Sequence, residues 1–515
     1  VEIKNLKQWA IIILILCWLG WRLAVPVDLV KSDLGRHIKN GELILQGNWD
    51  ILYKNFYTYT NPGYPFINEH WLFGVFCFVC WHFFGFAGLG FIYLLIELFT
   101  FYVFFRCWQR FSSFAMCCAF GLLSFPFLCF RSEIRPEGIS YLFCGLFWWL
   151  IDSFQQKRLN SSYLFIILCF LQIIWVNTHL FFVMGPFLTL LFCCQARAEK
   201  REEQAAILLK LFFLLLGMCL INPSGIAGAL APFTIDRSYF EYPIVEQLSV
   251  FSLLKAGIFK TLLLYFLFTV AMLGAALFFL IRKEGLRKYF FIASLTLVLS
   301  LAAMKINRII GLFGYFWMPL SACLYSGWLK GETDNVRKNV EIVLVVLGII
   351  VSVSLNFEWK QLPRLGLVPG TNDAGEFFKR EKISGPIFNN ADIGGYLIYH
   401  LSPQYKLFID NRIEPFPEDF LKKTYVQMMW YDDRWHELEG KYHFNVIVFA
   451  PEQSVWGFKF FVNRIRDRSW ALVYLSDEVL IFLKRNALNA DLIRRDEIRV
   501  DMQENLSLPK DIPYK

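Results

Sequence analysis

Charged side chains are scarce in this chain: Asp, Glu, Lys and Arg make up 18% of its 515 residues, against 56% hydrophobic ones, at a mean hydropathy of +0.44. A water-soluble fold of this length has no interior large enough to bury so much apolar side chain, which excludes a soluble enzyme. No cysteine lies beyond Cys323; the 13 present fall between Cys17 and Cys323, nearly all in apolar stretches, which argues against a disulfide framework. Cys77 and Cys80 have the C-x-x-C spacing, yet no second pair accompanies them, so they read as apolar filler rather than a zinc or redox site. A Gly-rich nucleotide loop, an H-E-x-x-H pair and tandem cysteine pairs are all missing, and the chemistry is not expected to need ATP. There is no repeat of fixed period and no low-complexity segment. The excess of Lys and Arg over Asp and Glu is 51 − 43 = +8, too modest to suggest a nucleic-acid partner.

Apolar and aromatic residues are what the sequence has, with 55 Phe, 22 Tyr and 17 Trp. Such a composition suits helices that face lipid and anchor at its interfaces. The N-terminal run VEIKNLKQWAIIILILCWLGW has no A-x-A cleavage pattern and reads as a retained anchor helix. Spans of roughly 20 apolar residues are expected at 9–26, 88–105, 113–130, 138–154, 162–177, 180–195, 205–221, 262–281, 289–304, 309–327 and 340–356. The fold class is therefore a polytopic α-helical membrane protein with about 11 spans, or up to 13. Basic connectors (Arg106 to Arg110, Lys157-Arg158, ARAEKREEQ, RKEGLRK, LKGETDNVRKN) fall on one side, with Lys4 and Lys7, if that side is cytoplasmic. The stretch 71–86 would break this alternation as a crossing and is assigned as a re-entrant or surface-lying helix.

Three domains follow: a membrane domain over 1–356, whose first external loop with its juxtamembrane helices is 27–87; an α/β domain over 357–490 on the far side; and a polar tail over 491–515. The α/β domain is read from short β-like runs (GPIFNN, YKLFIDN, FNVIVFA, WALVYLSDEVLIFLKR) that alternate with helical ones.

Ionisable groups near a membrane usually mark a function or a paired contact, and here they cluster in the outer loops. VDLVKSDLGRHIKNGELIL reads as an amphipathic helix with Asp33, His37 and Asn40 at i, i+4, i+7, a carboxylate and an imidazole placed to remove a proton from an acceptor hydroxyl. The alternative is a cap and a solvated polar face. RSEIRPEG places Arg131, Glu133, Arg135 and Glu137 within seven residues, where guanidinium forks suit a phosphate or pyrophosphate; mutual Arg–Glu pairing that only closes a loop is the other reading. Lys305 and Arg308 would complete such a site or snorkel. His179, in Asn177-Thr178-His179, acts on a substrate or satisfies backbone at a helical hairpin, and Asn222-Pro223-Ser224-Gly225 reads as turn chemistry. Asp236, Glu241 and Glu246 offer further outer carboxylates, with nothing in the spacing to select one. Gly394-Gly395-Tyr396 reads as a strand-to-helix bend, and Asp410-Asn411-Arg412 as a polar contact surface.

The run SDLGRHIKNGELILQGNWDILYKNFYTYTNPGYPFINEHWL resembles the first external loop of bacterial polytopic proteins of the C-type glycosyltransferase (GT-C) superfamily, related to the dolichyl-phosphate-mannose–protein mannosyltransferases. RSEIRPEGISYLF, WVNTHLFFVMG, INPSG and PIFNNADIGGYLIYHLSPQYKLFIDNRIEPF are similar to later segments of the same group, in the same order. The resemblance implies an integral-membrane transferase that moves a sugar from a polyprenyl-phosphate donor to an acceptor on the periplasmic side of a bacterial inner membrane. It implies Asp33 as general base, His37 as its support, and Arg131, Arg135, Lys305 and Arg308 as counter-charges to the donor phosphate. Glu133, His70 and His179 are candidate contacts to substrate. Many GT-C enzymes carry an acidic pair in this loop; here Leu34 follows Asp33, so no metal is expected to be required. Partners are expected to be membrane lipids, the lipid-linked donor and a membrane protein complex. The runner-up readings are a catalytically silent scaffold or accessory subunit and, third, a transporter of lipid-linked saccharide, which would prefer charges deep within helices and two related halves.

Overall fold

The computed structural model describes residues 2–109, 112–234, 245–355, 363–451 and 455–499. Of the outer carboxylates, Asp236 and Glu241 lie outside the described residues, as do Arg110 and the part of the expected tail from 500. The chain divides into two compact units.

The first unit comprises Val1–Pro26, Gly90–Pro232 and Pro243–Leu365 and is built from helices. Each of the eleven apolar stretches holds helix among the described residues, including Glu2–Leu23, Pro136–Gln155, Ser161–Val176, Glu202–Met218, Lys260–Glu284 and Asp334–Ser354. Their starts follow local chemistry. Ser113, Asn160 and Thr333 each accept a hydrogen bond from the backbone N–H three residues on, and Pro136 opens its helix where no N–H is needed. Buried aromatic side chains, including Phe104, Trp108, Phe127, Trp148, Trp175 and Phe316, fill the interior, while Ile166, Phe213, Phe268, Phe279 and Val343 stand exposed on the outside. Large apolar side chains turned outward from a filled core are what lipid contact requires, and the chain is a multi-pass membrane protein.

By length and apolarity alone, six helices among the described residues are able to cross a membrane, or seven if Phe114–Leu123 and Phe125–Arg131, bent by 45° from each other, form one span. Four of the eleven expected stretches are not counted: Ser161–Val176 and Glu202–Met218 have only 16 and 17 residues, Asp334–Ser354 carries charges in its first turns, and Pro136–Gln155 holds Glu137 and Asp152 near its ends.

The second unit takes Val27–Leu89 and the chain from Gly366, together with Phe233–Tyr242. This differs from the expected division, which gave 27–87 to the membrane domain. The physical reason is backbone pairing across hundreds of residues: Val27 bridges to Leu367 and Thr58 to Leu407, both in parallel, while Tyr59 donates to the Ile387 carbonyl (2.9 Å) and Thr60 to that of Phe408 (2.7 Å). The sheet has four strands, β1 (Ile387–Asn389), β2 (Val446–Phe449), β3 (Trp470–Leu475) and β4 (Leu480–Lys484), in the order β1-β2-β4-β3. β1 and β2 run parallel and the other two pairings are antiparallel. The folded part extends past 490: Ala490–Asp496 is a helix with Ile493 buried, and the Ile498 N–H bonds to the Leu472 carbonyl (2.8 Å).

Helix Leu34–Leu45 of this unit crosses the first arm of helix Trp71–Trp108 at Gly41 and Gly74, where a Cβ on Gly41 would sit 2.2 Å from the Gly74 carbonyl oxygen. The long helix is broken at Gly85, whose φ of 65° an L side chain rarely adopts. The break falls at the end of the stretch 71–86 that the charge alternation set apart.

Candidate functional site

In the first unit, Phe125–Leu128 and a 3₁₀ turn at Cys129–Arg131 lead into the loop that Pro136 ends by opening the next helix. The loop's charges are paired. Glu246, from a short 3₁₀ turn at Val245–Gln247, forms an ion pair with Arg131 Nη2 (2.6 Å) and faces both terminal nitrogens of Arg135 (2.8 and 3.0 Å). Arg135 Nε also donates to Glu133 (2.5 Å), and Arg308 donates to Glu137. Burial would raise the Glu246 carboxyl, but Arg135, Arg131 and Arg308 outweigh it and hold the group below the usual carboxylate range.

His179 is buried behind this cluster. Its Nδ1 is 2.8 Å from Ser140 Oγ, which accepts from Trp175 Nε1 (2.8 Å), and its Nε2 is 3.9 Å from Glu137. The network joins the polar break at 177–179 to the arginine loop, a link invisible in spacing. Asn177 and Asn222 close turns, Asn177 donating to the Ile173 and Ile221 carbonyls (2.8 Å each) and Asn222 to those of Cys219 and Gly225 (2.8 and 2.9 Å). Lys305 ends its helix exposed and enters no ion pair among the described residues, so of the four expected phosphate contacts three converge.

A small cleft opens beside Arg131. Leu23, Val25, Leu94, Ile134 and Leu365 make its apolar wall, and Tyr93, Glu97, Arg131 and Ser132 its polar one. Tyr93 donates to the Arg135 carbonyl (2.8 Å) and Tyr315 to Glu97 (2.7 Å). Apolar walls with a few convergent polar groups are the usual form of a ligand pocket. Glu97 is the lone carboxylate of the apolar run IYLLIELFTF, a signal the sequence carries although the outer-loop charges do not point to it.

In the second unit, Asp33 immediately precedes helix Leu34–Leu45. Asn411 Nδ2 donates to Asp33, Arg36 Nε donates to Asn411 Oδ1 (3.0 Å), and the Arg36 guanidinium lies 3.6 Å from Asp33. The carboxylate, 37% exposed, is thus oriented by two groups and open to solvent on one side. His37 does not share that open face. It is buried, edge-on to Phe73 (5.0 Å between ring centres) and beside His70 (5.9 Å). Asn40 is buried too, accepting from the Tyr57 hydroxyl (2.5 Å). The expected common face of Asp33, His37 and Asn40 is corrected: nearly the whole circumference of this helix is packed, because the arm from Trp71 and the helix Gly394–Leu401 cover it. Asp410 and Arg412, flanking Asn411, form a buried bidentate pair (2.6 and 3.0 Å), with the guanidinium over Phe66 (4.6 Å).

Among the described residues no three side chains of His, Cys, Asp and Glu are grouped as a metal ion needs. Turns and a loop between helices of the first unit present paired arginines, and an oriented carboxylate stands in the second.

No protein-family profile matches the sequence, and neither does any curated protein. Solved structures do match in fold. The archaeal oligosaccharyltransferase of Archaeoglobus fulgidus, in complex with an inhibitory peptide and a dolichol-phosphate, aligns at a TM-score of 0.56 and 11% identity over 93% of this chain and 74% of its own. A mycobacterial arabinofuranosyltransferase aligns at 0.52 and 12%, over 93% of this chain and 40% of its own. ArnT of Cupriavidus metallidurans, bound to undecaprenyl phosphate, aligns at 0.50 and 11%, over 94% of this chain and 98% of its own. At such identities the likeness concerns the fold alone, and the chain shares its fold with these three proteins.

Proposed function

We propose that the protein is an integral-membrane glycosyltransferase that takes a sugar from a polyprenyl-phosphate donor and transfers it to an acceptor hydroxyl on the periplasmic side of a bacterial inner membrane. The observation that carries the reading is the convergence of Arg131, Arg135 and Arg308 in one ion-paired cluster, of which Arg131 lines a small apolar-walled cleft, a combination suited to a phosphate on a hydrocarbon chain. Two proteins of similar fold were solved with lipid phosphates, dolichol-phosphate and undecaprenyl phosphate. A donor already dissolved in the bilayer also accounts for the missing nucleotide loop.

On this reading the arginines offset charge on the departing phosphate, and Lys305 adds to the field without touching it. Asp33 takes the acceptor's proton, with Arg36 and Asn411 fixing its direction. His37 and His70 support the packing under Asp33. Glu133 and His179 tune the arginines, the latter through Glu137. No metal is needed.

The test is transfer of radiolabelled sugar from polyprenyl-phosphate donors by purified wild type and by Asp33→Asn. Loss of a positioned base typically costs about 10²–10⁴-fold in rate, and a loss in that range, with an unchanged size-exclusion profile, is expected. One observation favours a second reading: every arginine of the cluster is already matched by a carboxylate, as in a catalytically silent accessory subunit of a membrane complex. Absence of transfer by wild type across several donors, with co-purification of a stable complex, would establish that reading instead.

A further inference from the structure

The arginine cluster already holds an anion of its own. Arg131, Arg135 and Arg308 face Glu133, Glu137 and Glu246, so the formal charges of the group sum to zero. Glu246 is the carboxylate that two arginines share at close range: one oxygen lies 2.6 Å from Arg131 Nη2 and 2.8 Å from Arg135 Nη2, and the other accepts from Arg135 Nη1 (3.0 Å). This is the bidentate geometry in which guanidinium groups bind phosphate oxygens. The turn that carries it is anchored from the neighbour of Arg308, as buried Asn307 donates through Nδ2 to the carbonyls of Val245 (2.6 Å) and Leu248 (3.0 Å) and through its backbone N–H to Leu248 (3.2 Å). The Glu246 side chain is 30% exposed, so an incoming group reaches it without the core opening.

We infer that Glu246 is a specificity-determining positioning residue, which sits in the phosphate seat of Arg131 and Arg135 and yields it to a phosphate monoester in preference to a phosphodiester. The inference rests on the proposed reading of the cluster as a donor-phosphate site. A phosphodiester carries a single negative charge, no more than the carboxylate it must displace. A monoester, with a second pKa near 6, carries close to two charges above neutral pH and wins the exchange. Membrane phosphodiester lipids are thereby kept out of the seat.

The same difference bears on the transfer itself. A polyprenyl-phosphate sugar is a diester until the bond between the sugar carbon and the phosphate oxygen breaks. The electron pair of that bond stays on the phosphate, the acceptor oxygen bonds to the sugar carbon, and its proton passes to the general base. The phosphate gains its second charge only as the bond breaks, and with it the means to draw both arginines from Glu246. Binding that strengthens towards the transition state accelerates the step, whereas equal binding of donor and product does not.

The experiment measures dissociation constants for farnesyl phosphate (monoester), farnesyl methyl phosphate (diester) and inorganic phosphate at pH 8 on the purified full chain. Wild type, Glu246→Gln, Glu246→Asp and Arg131→Gln are compared. Wild type is expected to prefer the monoester, and Glu246→Gln to lose roughly tenfold of that preference because its diester affinity rises. Glu246→Asp, with the carboxylate drawn back by one methylene, loses part of it and is the variant to read if Glu246→Gln does not fold. A packing role alone would leave the monoester-to-diester ratio unmoved. A matching trend with inorganic phosphate assigns the preference to the phosphate group as such; a trend confined to the farnesyl compounds assigns it to a lipid headgroup, and both outcomes support the inference. An unchanged ratio in Glu246→Gln, with binding lost in Arg131→Gln, overturns the role of Glu246 and leaves the arginine site standing. No binding of any probe to wild type or Glu246→Gln overturns the arginine site and this inference with it.

Discussion

At the scale of single residues, the partners of a charged group decide what it does. Asp33 and the arginines at 131 and 135 stand out in the sequence as ionisable groups in outer loops of an apolar chain. Their partners do not: Asn411 lies 378 residues from Asp33, and Glu246 lies 111 from Arg135. His400 shows the same dependence on surroundings. It is buried in the helix Gly394–Leu401 against Gly375 and the Tyr396 ring. Burial first, then Lys379 and Lys39, lowers its imidazole from 6.5 to about 3. The unfolded chain therefore binds a proton below 6.5 that the folded one refuses, so this stabilisation is complete above pH 6.5 and shrinks as the pH falls towards 3. At pH 5 the loss is about 2 kcal/mol. Denaturation of the second unit's signal at pH 5 and at pH 7.5 is expected to show a smaller pH dependence in His400→Gln than in wild type. Equal dependence would mean that other groups govern the acid limb.

At the scale of elements, apolar run length and capping residues were enough to place helices, and each of the eleven expected stretches holds helix among the described residues. The amphipathic pattern of the first loop was a poorer guide. It separates a polar from an apolar face, but burial here extends to polar residues, since Arg36, His37 and Asn40 each lie under other parts of the same unit. The helix that follows Asp33 is held by its crossing with the arm from Trp71. There Gly41 and Gly74 bring backbone against backbone, and the Phe78 Cβ would be 2.8 Å from a Cβ on Gly41. Neither neighbour is a flexible side-chain end, so Gly41→Ala must push the helices apart. A cost of about 1–3 kcal/mol is expected, read as a lower melting temperature. Transfer activity should fall with it, because Asp33 moves with its helix, and an unchanged melting temperature would show that the crossing adjusts freely.

At the scale of the whole molecule, the alternation of basic and unusual loops makes a claim about orientation. Alkaline phosphatase, which needs the disulfide-permitting periplasm to fold, is expected to be inactive when fused after Lys330, in a basic connector, and active when fused after Asn486, beyond β4. The opposite pattern would reverse the proposed topology. Membrane residence, helical architecture and the existence of a C-terminal sheet were all determined by the order of the residues, because hydropathy, capping and strand alternation are local properties. Two matters were decided only by tertiary structure. One is that the first external loop belongs with the C-terminal unit, through bridges such as Val27 to Leu367 and Thr58 to Leu407. The other is that each conspicuous arginine is paired with a carboxylate, Arg131 and Arg135 sharing Glu246. Both depend on which distant segments meet, and a backbone hydrogen bond or an ion pair leaves no trace in the spacing of residues along a chain.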